Sequence, residues 1–343
     1  MILLFWGKNM DKTRKILGGL LGGALGDAMG AATETRSTKQ IIDRFGSLVK
    51  DIIDIPDDVF ARGFKRGSVT DDFSLAYVTA QTIIENKGII NDEVAKMSLL
   101  NWSKTPYYTL AGPTTVKALD KMLGKEVSES FISYESSRGS DGGAMKISPI
   151  GLLSNGDVDK AIDDAIIICK PTHFNNTALS GACAIAAGVA EALNDSATVD
   201  SIIEACLKGA LKGDTYARQH DAELANPSVY KRIVLAVEIA KKCEGDMAKA
   251  MQELEDIIGS GLSASEAVPC AIGLFKASNG DTFKAIVGAV NIGGDTDTVA
   301  TMVGALAGTY EAYYNDDYLK LIDEVNNYDL LSLAKRINEV NNG

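Results

Sequence analysis

The stretch "ILGGLLGGALGDAMGAA", residues 16–32, carries a glycine at every fourth position. These glycines are Gly18, Gly22, Gly26 and Gly30. In a helix they would share one face, because side chains four residues apart lie above one another. Each glycine weakens a helix by roughly 0.8–1 kcal/mol relative to alanine, so a packing gain must offset them. The stretch therefore predicts a helix whose bare face lets a second helix backbone approach closely.

A transmembrane helix is the alternative interpretation of this stretch. The apolar run ends at Asp27, however, and is shorter than the roughly 20 residues that a membrane span needs. The same small-residue spacing returns at Gly304 and Gly308 in "MVGALAGTY", residues 302–310. We therefore expect two glycine-bearing helices inside a protein that does not cross a membrane.

Helical periodicity dominates the rest of the chain, and alternating strand patterns are nearly absent. Further helices are predicted at about 73–86, 91–101, 175–194, 198–213, 228–242, 246–258, 265–277, 281–291 and 317–325. The fold class predicted is therefore all-α, a bundle of many packed helices.

Length and composition favour one large domain. The chain has 343 residues, is 46% hydrophobic and contains no linker or low-complexity tract, so it can bury a sizeable single core. We expect residues 11–343 to form this domain. The opening "MILLFW" is too short for a signal peptide, and we expect residues 1–10 to be an extra N-terminal segment with the true start at Met10.

Charge and cysteine content exclude several classes of protein. With 46 acidic and 34 basic residues the formal net charge is -12, which argues against binding nucleic acid by neutralising phosphates. The five cysteines are scattered and form no C-x-x-C pair, so neither a disulfide framework nor a zinc site is indicated. A cytoplasmic location fits this pattern.

Two acidic segments stand out, "GSVTDDFSLAYV" (67–78) and "GGDTDT" (293–298), each directly before a helical pattern. One interpretation is helix capping, with Ser68 and Asp71 as a capping box and Asp295 or Thr296 as a second cap. A cap needs only one oxygen, whereas the two segments together offer four carboxylates and themselves contain no Lys or Arg. The other interpretation is an oxygen-ligand site for two Mg²⁺ or Mn²⁺ ions.

The chain resembles the ADP-ribosylglycohydrolase family, which includes the dinitrogenase reductase-activating glycohydrolases and the ADP-ribosyl-acceptor hydrolases. The segments "GALGDAMGAATE", "VTDD", "SDGGAMKISPIG", "PTH" and "NIGGDTDTVATMVGALAG" occur in the family's order and spacing, over about residues 16–312. The resemblance implies an all-α, orthogonally packed fold with a binuclear Mg²⁺ or Mn²⁺ centre that cleaves the bond between ADP-ribose and an acceptor.

The resemblance also implies roles for individual side chains. The metal ligands it implies are Thr70, Asp71, Asp72, Asp295, Asp297 and Thr298. Glu34 lies seven residues after Asp27, as in the serine-directed members, where a carboxylate can orient or deprotonate the attacking water.

The substrate contacts implied by the resemblance come from a glycine-rich loop and one histidine. They are Gly139, Ser140, Asp141, Gly142, Gly143, Met145 and His173. Backbone N–H groups of such a loop can bind a pyrophosphate without a basic patch. The loop departs from the commonest family pattern, with Asp141 where Asn is frequent and Lys146 where Arg is frequent. His220 matches no family position, and we interpret it as a surface residue.

These observations lead to one functional hypothesis and two alternatives. The hypothesis is metal-dependent hydrolysis of an ADP-ribosyl bond in a protein or a small molecule, with Glu34 assisting the attacking water. The first alternative is a hydrolase of smaller ribosides, such as a nucleoside or nucleotide, and the second is a non-catalytic ADP-ribose-binding or structural relative. The intact acidic segments argue against the non-catalytic alternative. The acceptor, whether arginine, serine, a base or a small molecule, stays open at this point.

Overall fold

The computed structural model describes residues 8–125 and 139–343, and every regular element in these ranges is helical. The α-helices are α1 (Lys8–Gly30), α2 (Thr38–Phe45), α3 (Asp71–Glu85), α4 (Asp92–Trp102), α5 (Pro113–Met122), α6 (Ser148–Leu152), α7 (Val158–Cys169), α8 (Asn176–Ala192), α9 (Val199–Gln219), α10 (Val229–Lys242), α11 (Met247–Ile257), α12 (Ala264–Ser278), α13 (Thr282–Asn291), α14 (Thr296–Glu311), α15 (Asp316–Asn326) and α16 (Leu330–Asn342). Two short 3₁₀ helices, Pro106–Leu110 and Asp141–Gly143, complete the set. The predicted all-α class is confirmed.

The glycine face of α1 packs directly against α14, as the spacing predicts. An ideal Cβ placed on Gly22 would overlap the carbonyl of Gly304, and one placed on Gly304 would overlap the carbonyl of Gly22. Gly18 and Gly308 stand in the same reciprocal relation. The two glycine patterns of the sequence are therefore partners, and their helices lie in backbone-to-backbone contact.

Around this pair the interior is built from helices that are buried on nearly all sides. In α8, α12 and α14 almost every residue is buried, which matches their continuous small and apolar sequences. Most of the buried apolar side chains in the described residues form one contiguous cluster. Residues 1–7 of the predicted N-terminal segment lie outside the described residues, and the domain boundary at residue 11 stays a prediction.

Proline at position 269 lies inside α12 without ending the helix. Proline has no N–H, so the carbonyl of Ser265, four residues earlier, loses its usual helical partner. Arg232 supplies a substitute, because its Nη1 donates to Ser265 O at 3.0 Å and to Ile258 O at 3.3 Å. This contact keeps the start of α12 intact beside Ser263, which lines the cavity described below.

Candidate active site

The buried carboxylate of Asp27, near the end of α1, fixes where α3 begins. Its two oxygens accept hydrogen bonds from the backbone N–H of Thr70 at 2.9 and 3.0 Å, and Oδ2 also accepts from Phe73 N at 2.9 Å. Charge-assisted bonds of this kind are the strong ones, and here they satisfy N–H groups that have no helical partner. Asp27 thus ties the glycine helix to the TDD segment.

Thr70 is the N-cap of α3, and its Oγ1 accepts a hydrogen bond from Asp72 N at 3.2 Å. The capping box expected from Ser68 and Asp71 is therefore wrong: Thr70 and Asp27 already satisfy the helix start. The carboxylates of Asp71 and Asp72 are not needed as caps and remain available to other partners.

The side chains of the DTDT segment, residues 295–298, are also not used to cap a helix. Asp295 occupies the N-cap position of α14, but its side chain accepts no capping hydrogen bond. The Thr296 hydroxyl donates to Gly30 O at 2.9 Å, so this residue faces α1. Thr298 Oγ1 donates to Asp72 Oδ2 at 2.6 Å and links the two acidic segments directly. The side-chain capping interpretation of Asp295 and Thr296 is thereby contradicted.

Glu34 is held beside the second acidic segment by its neighbours in the chain. Thr35 N donates to Gly294 O at 2.8 Å, and Gly294 N donates to Arg36 O at 3.0 Å. Thr35 adopts a left-handed backbone conformation, with φ 64°, which is uncommon for a β-branched residue. The pairing with Gly294 holds this turn and directs Glu34 toward the start of α14.

An ion pair supports the same turn from the surface. Arg36 Nη1 donates to the carbonyl of Glu34 at 3.2 Å, and Nη2 donates to Asp58 Oδ1 at 2.6 Å. The hydrogen bond and charge of Arg36 lower the pKa of the exposed Asp58. Asp58 precedes Phe60 and Arg62, which line the cavity, so Arg36 connects the Glu34 turn to one wall of the site.

Carboxylate oxygens of Glu34, Asp295 and Asp297 lie within 4.8 Å of one another, so these three side chains could hold one metal ion. Four buried carboxylate oxygens have no hydrogen-bond partner: Glu34 Oε2, Asp141 Oδ2, Asp295 Oδ2 and Asp297 Oδ1. Orphaned buried acceptors of this kind are costly unless something positive meets them. Hard divalent cations with oxygen shells fit this donor set.

The crowding of these acids raises their pKa values. The pKa of Glu34 is raised to about 9, first by burial and then by repulsion from Asp297, Asp71 and Asp27. Burial and Asp297 likewise raise the pKa of Asp71 to about 7. The carboxyl of Asp141, also mainly through burial, has a pKa of about 7.

Burial is also the main cause at Asp27, Asp72 and Asp295, whose pKa values lie well above the ordinary range. Repulsion from Asp141 also raises the pKa of Asp295, so Asp141 belongs electrostatically to the same cluster. Ionising these carboxyl groups together is therefore unfavourable in the protein alone, and a bound cation would offset the repulsion among them.

The turn after α1 and the starts of α3 and α14 line a cavity of about 720 Å³. Its wall includes every predicted metal ligand, Thr70, Asp71, Asp72, Asp295, Asp297 and Thr298, together with Glu34. Of the predicted substrate contacts, Ser140, Asp141, Gly142, Met145 and His173 line the same cavity. The structure thus places residues from five separate parts of the sequence around one space.

Gly139 and Gly143 do not line this cavity. Gly139 has φ 78°, and a Cβ on it would lie 2.6 Å from the Thr177 Cβ. A Cβ on Gly143 would lie 3.3 Å from Cys169 Sγ and from the Cβ of His173. The tight packing of these glycines shapes the loop from behind, and their role as ligand contacts stays a prediction.

The sequence did not indicate several residues that build the site. No role was predicted for Asp27 itself, although a lone carboxylate within an apolar run must find buried partners. Arg36, Asp58 and Phe60 carry no pattern that distinguishes them from ordinary surface residues. Among the helices that the structure describes, none is long and apolar enough to cross a membrane.

Comparisons with known proteins agree with this architecture. The family described as ADP-ribosylglycohydrolase matches residues 8–342. The chain is 33% identical to the Escherichia coli (strain K12) protein YegU over 328 residues, which covers 93% of this chain and 94% of that protein. It is 26% identical to the ADP-ribosylhydrolase ARH3 of Homo sapiens over 261 residues, covering 70% of each.

A solved structure titled "ADP-ribosylglycohydrolase-related protein complex" shares the fold, with a TM-score of 0.68 over 96% of this chain and 99% of that chain at 20% identity. The family profile covers nearly the whole chain and includes both acidic segments. The chain therefore belongs to the ADP-ribosylglycohydrolase family.

Proposed function

We propose that this glycosidic-bond hydrolase cleaves the bond between ADP-ribose and an acceptor, a protein side chain or a small molecule, with two Mg²⁺ or Mn²⁺ ions held at the acidic cluster. The observation that carries the proposal is the convergence of the turn after α1, the start of α14 and the Asp141–Gly143 segment, which brings four partnerless buried carboxylate oxygens to one cavity. The ligands we propose are the six Thr and Asp side chains named from the resemblance, all of which line that cavity.

Each part of the chain has a distinct task in this proposal. Divalent cations, when bound, supply Lewis-acid chemistry and offset the repulsion among the carboxylates. Glu34 accepts a proton from the attacking water, and the remaining acids favour the positive charge that develops on the ribose ring in the transition state. A pKa of about 9 keeps Glu34 protonated at neutral pH when its neighbours are charged and unbalanced. Positive charge in the site lowers that pKa and frees Glu34 to act as a base.

The cavity has room for an ADP-ribosyl substrate. A volume of about 720 Å³ is within the range of roughly 300–1,000 Å³ typical of sites that enclose a ligand of several rings. Ser140, Gly142 and His173 also line the cavity, and we propose that the diphosphate half of the substrate binds beside them. A cytoplasmic location stays a prediction.

A direct assay tests the proposal. The purified protein is incubated with Mg²⁺ and, separately, with peptides ADP-ribosylated on arginine or serine and with plain nucleosides. We expect release of free ADP-ribose, and we expect the Asp295→Ala, Asp297→Ala double variant to release none. Release of ribose or ribose phosphate from nucleosides or nucleotides, without release of ADP-ribose, would refute the proposal in favour of the riboside alternative.

A further inference from the structure

Behind the glycine-rich loop lies a lysine that the proposed mechanism does not use. Lys146 is 1% exposed, and its Nζ donates a hydrogen bond to Thr172 Oγ1 at 3.0 Å. Burial lowers the pKa of Lys146. An ammonium group in the interior is costly unless its hydrogen bonds are made, whereas a methionine of similar length would fill this space without that cost. Packing alone therefore does not explain the ammonium group of Lys146 at this position.

The hydrogen bonds continue from Thr172 to the cavity. The Thr172 hydroxyl lies 2.8 Å from Nδ1 of His173, and Nε2 of His173 lies 3.1 Å from Ser140 Oγ. Both His173 and Ser140 line the cavity. Lys146 is thus connected to the ligand space through three successive hydrogen bonds.

The chemistry of the four groups gives this chain of bonds one direction. An ammonium group has only donors, so Thr172 Oγ1 accepts from Lys146. The Thr172 proton is then directed to Nδ1 of His173, because the described residues offer it no other acceptor. Burial lowers the pKa of His173 to about 3, so the ring is neutral and carries its single proton on Nε2.

We propose that Lys146 is a positioning residue: through Thr172 it holds His173 in the Nε2–H tautomer, so that Ser140 directs its hydroxyl proton into the cavity toward an anionic oxygen of the ligand. The Nε2–H group of His173 donates to Ser140 Oγ, so the hydroxyl proton of Ser140 is free to donate to the ligand. The anion class is a phosphate or diphosphate, which rests on the proposed function.

The packing of the loop explains why the ring can reach the serine. A Cβ on Gly142 would lie 2.7 Å from His173 Nε2 and 2.9 Å from Cε1. Glycine at this position leaves space for the imidazole edge beneath the loop. A side chain at Gly142 would displace His173 before it met any ligand, so the loop glycine and the hydrogen-bond chain belong to the same arrangement.

The first measurement is the tautomer itself, and the sequence makes it simple because the chain contains only two histidines. The exposed His220 is removed by His220→Gln, which leaves His173 as the single imidazole. A long-range ¹H–¹⁵N spectrum of the full chain at neutral pH should show a pyridine-type Nδ1 and a pyrrole-type Nε2. A wild-type ring protonated on Nδ1 would overturn the proposal.

Three variants then test the role of Lys146. In this background Lys146→Met and Thr172→Val should give a mixture of tautomers, and Lys146→Arg, which keeps the buried cation, should retain the Nε2–H form. Thr172→Val preserves shape and leaves Lys146 in place, so it keeps the test valid if Lys146→Met does not fold. An unchanged tautomer in Thr172→Val, or in a folded Lys146→Met, refutes the relay.

Ligand binding provides the second readout. Loss of one hydrogen bond to a charged group should weaken ADP-ribose binding about 10-fold or more in Lys146→Met and Thr172→Val. Adenosine, which carries no phosphate, should bind equally well to all forms, and Mn²⁺ affinity should not change. Equal loss for adenosine and ADP-ribose would refute the assignment of Ser140 to an anion. If the wild type binds ADP-ribose but does not hydrolyse ADP-ribosyl bonds, the proposed function fails while the tautomer result stands.

Discussion

Replacing Gly30 by alanine tests whether the contact between α1 and α14 sets the geometry of the acidic site. Gly30 is the last residue of α1, and an ideal Cβ on it would lie 2.5 Å from the backbone nitrogen of Asp297 and 2.6 Å from the carbonyl oxygen of Thr296. The nearest atom is the Cα of Asp297 at 2.4 Å, and real Cβ atoms essentially never approach closer than 3.0 Å, so the two helix ends must separate by at least about 0.6 Å (3.0 less 2.4). The backbone that moves belongs to a proposed metal ligand.

The energetic cost follows from two opposing terms. Forcing an extra methyl group into a packed contact costs typically about 1–3 kcal/mol, while alanine gains up to about 1 kcal/mol over glycine in helix propensity. Gly23→Ala in the same helix is the matched control. Its Cβ would lie 3.3 and 3.4 Å from ring carbons of Phe73 and 3.6 Å from the Ala305 Cβ, which requires only small adjustments. We expect Gly30→Ala to be less stable than Gly23→Ala by about 1–3 kcal/mol.

Two measurements check this expectation. Urea unfolding in the presence of a chelator compares the free energies of unfolding of the two variants without a metal contribution. Titration with Mn²⁺ compares the metal affinities of the two variants. Metal ligands must be held within about 0.5 Å of their binding geometry, so Gly30→Ala should bind Mn²⁺ about 10-fold more weakly and Gly23→Ala about as well as the wild type. Equal stability and equal Mn²⁺ affinity in the two variants would show that the helix ends yield freely, and would refute the argument that this contact positions Asp297.

Three further predictions follow from the charges of the site. Asp295→Ala combined with Asp297→Ala should abolish Mn²⁺ binding in a titration and leave the chelator-treated fold intact, because it removes mutually repelling carboxylates; a large loss of metal-free stability would instead support a structural role. Glu34→Gln should lower turnover by about 10²–10⁴-fold with little change in ADP-ribose affinity, and near-normal turnover would show that Glu34 is not the base. Metal-free protein should lose stability as the pH rises from about 4 to about 9. In the folded state the pKa of Glu34 is about 9 and that of Asp71 about 7, both above their values in the unfolded chain. The folded state therefore holds more protons than the unfolded state in this window, and raising the pH favours unfolding. Thermal unfolding at several pH values tests this, with Mg²⁺ expected to protect most at high pH, and a metal-free stability that rises with pH over this range would contradict it.

Helices with a clear periodic pattern were predicted close to their observed bounds. The helices expected at about 175–194 and 228–242 are observed at Asn176–Ala192 and Val229–Lys242. No range was predicted for five helices, which are Thr38–Phe45, Pro113–Met122, Ser148–Leu152, Val158–Cys169 and Leu330–Asn342. The first has only two turns, too few for a periodic pattern to stand out from its surroundings, and its identity depends on the Ser37 capping box and the left-handed Gly46 that bound it.

Pairing between distant segments is the part of the fold that local sequence does not specify. The glycine spacing of α1 predicts that some helix approaches it, and Gly304 and Gly308 repeat the device, but nothing in either pattern states that the two are partners. Reciprocal overlap of Gly22 with Gly304 is a property of register and crossing angle, which depend on the whole core.

The composition of the acidic site was predicted more completely than its supports. The carboxylates and hydroxyls are recognisable in the sequence as clusters, because there are more of them than helix capping needs. The groups that hold them in place do so through backbone atoms, as Asp27 does with Thr70 N and Arg36 with the Glu34 carbonyl. A side chain that binds backbone can have any of several identities, so its sequence signal is weak.

Asp27 explains how one site can be built from segments more than 220 residues apart in sequence. The glycines of α1 bring α14 within backbone contact, and this places Asp297 and its neighbours at the end of α1. Asp27, in the same helix, accepts the free N–H groups at the start of α3 and so places the TDD segment at the same point. The positions of both acidic segments are therefore fixed relative to α1. The hydrogen bond from Thr298 to Asp72 then joins the two segments. The starts of α3 and α14 also present the positive ends of their helix dipoles to the cluster, which offsets part of its negative charge. The proposed cations would offset the rest.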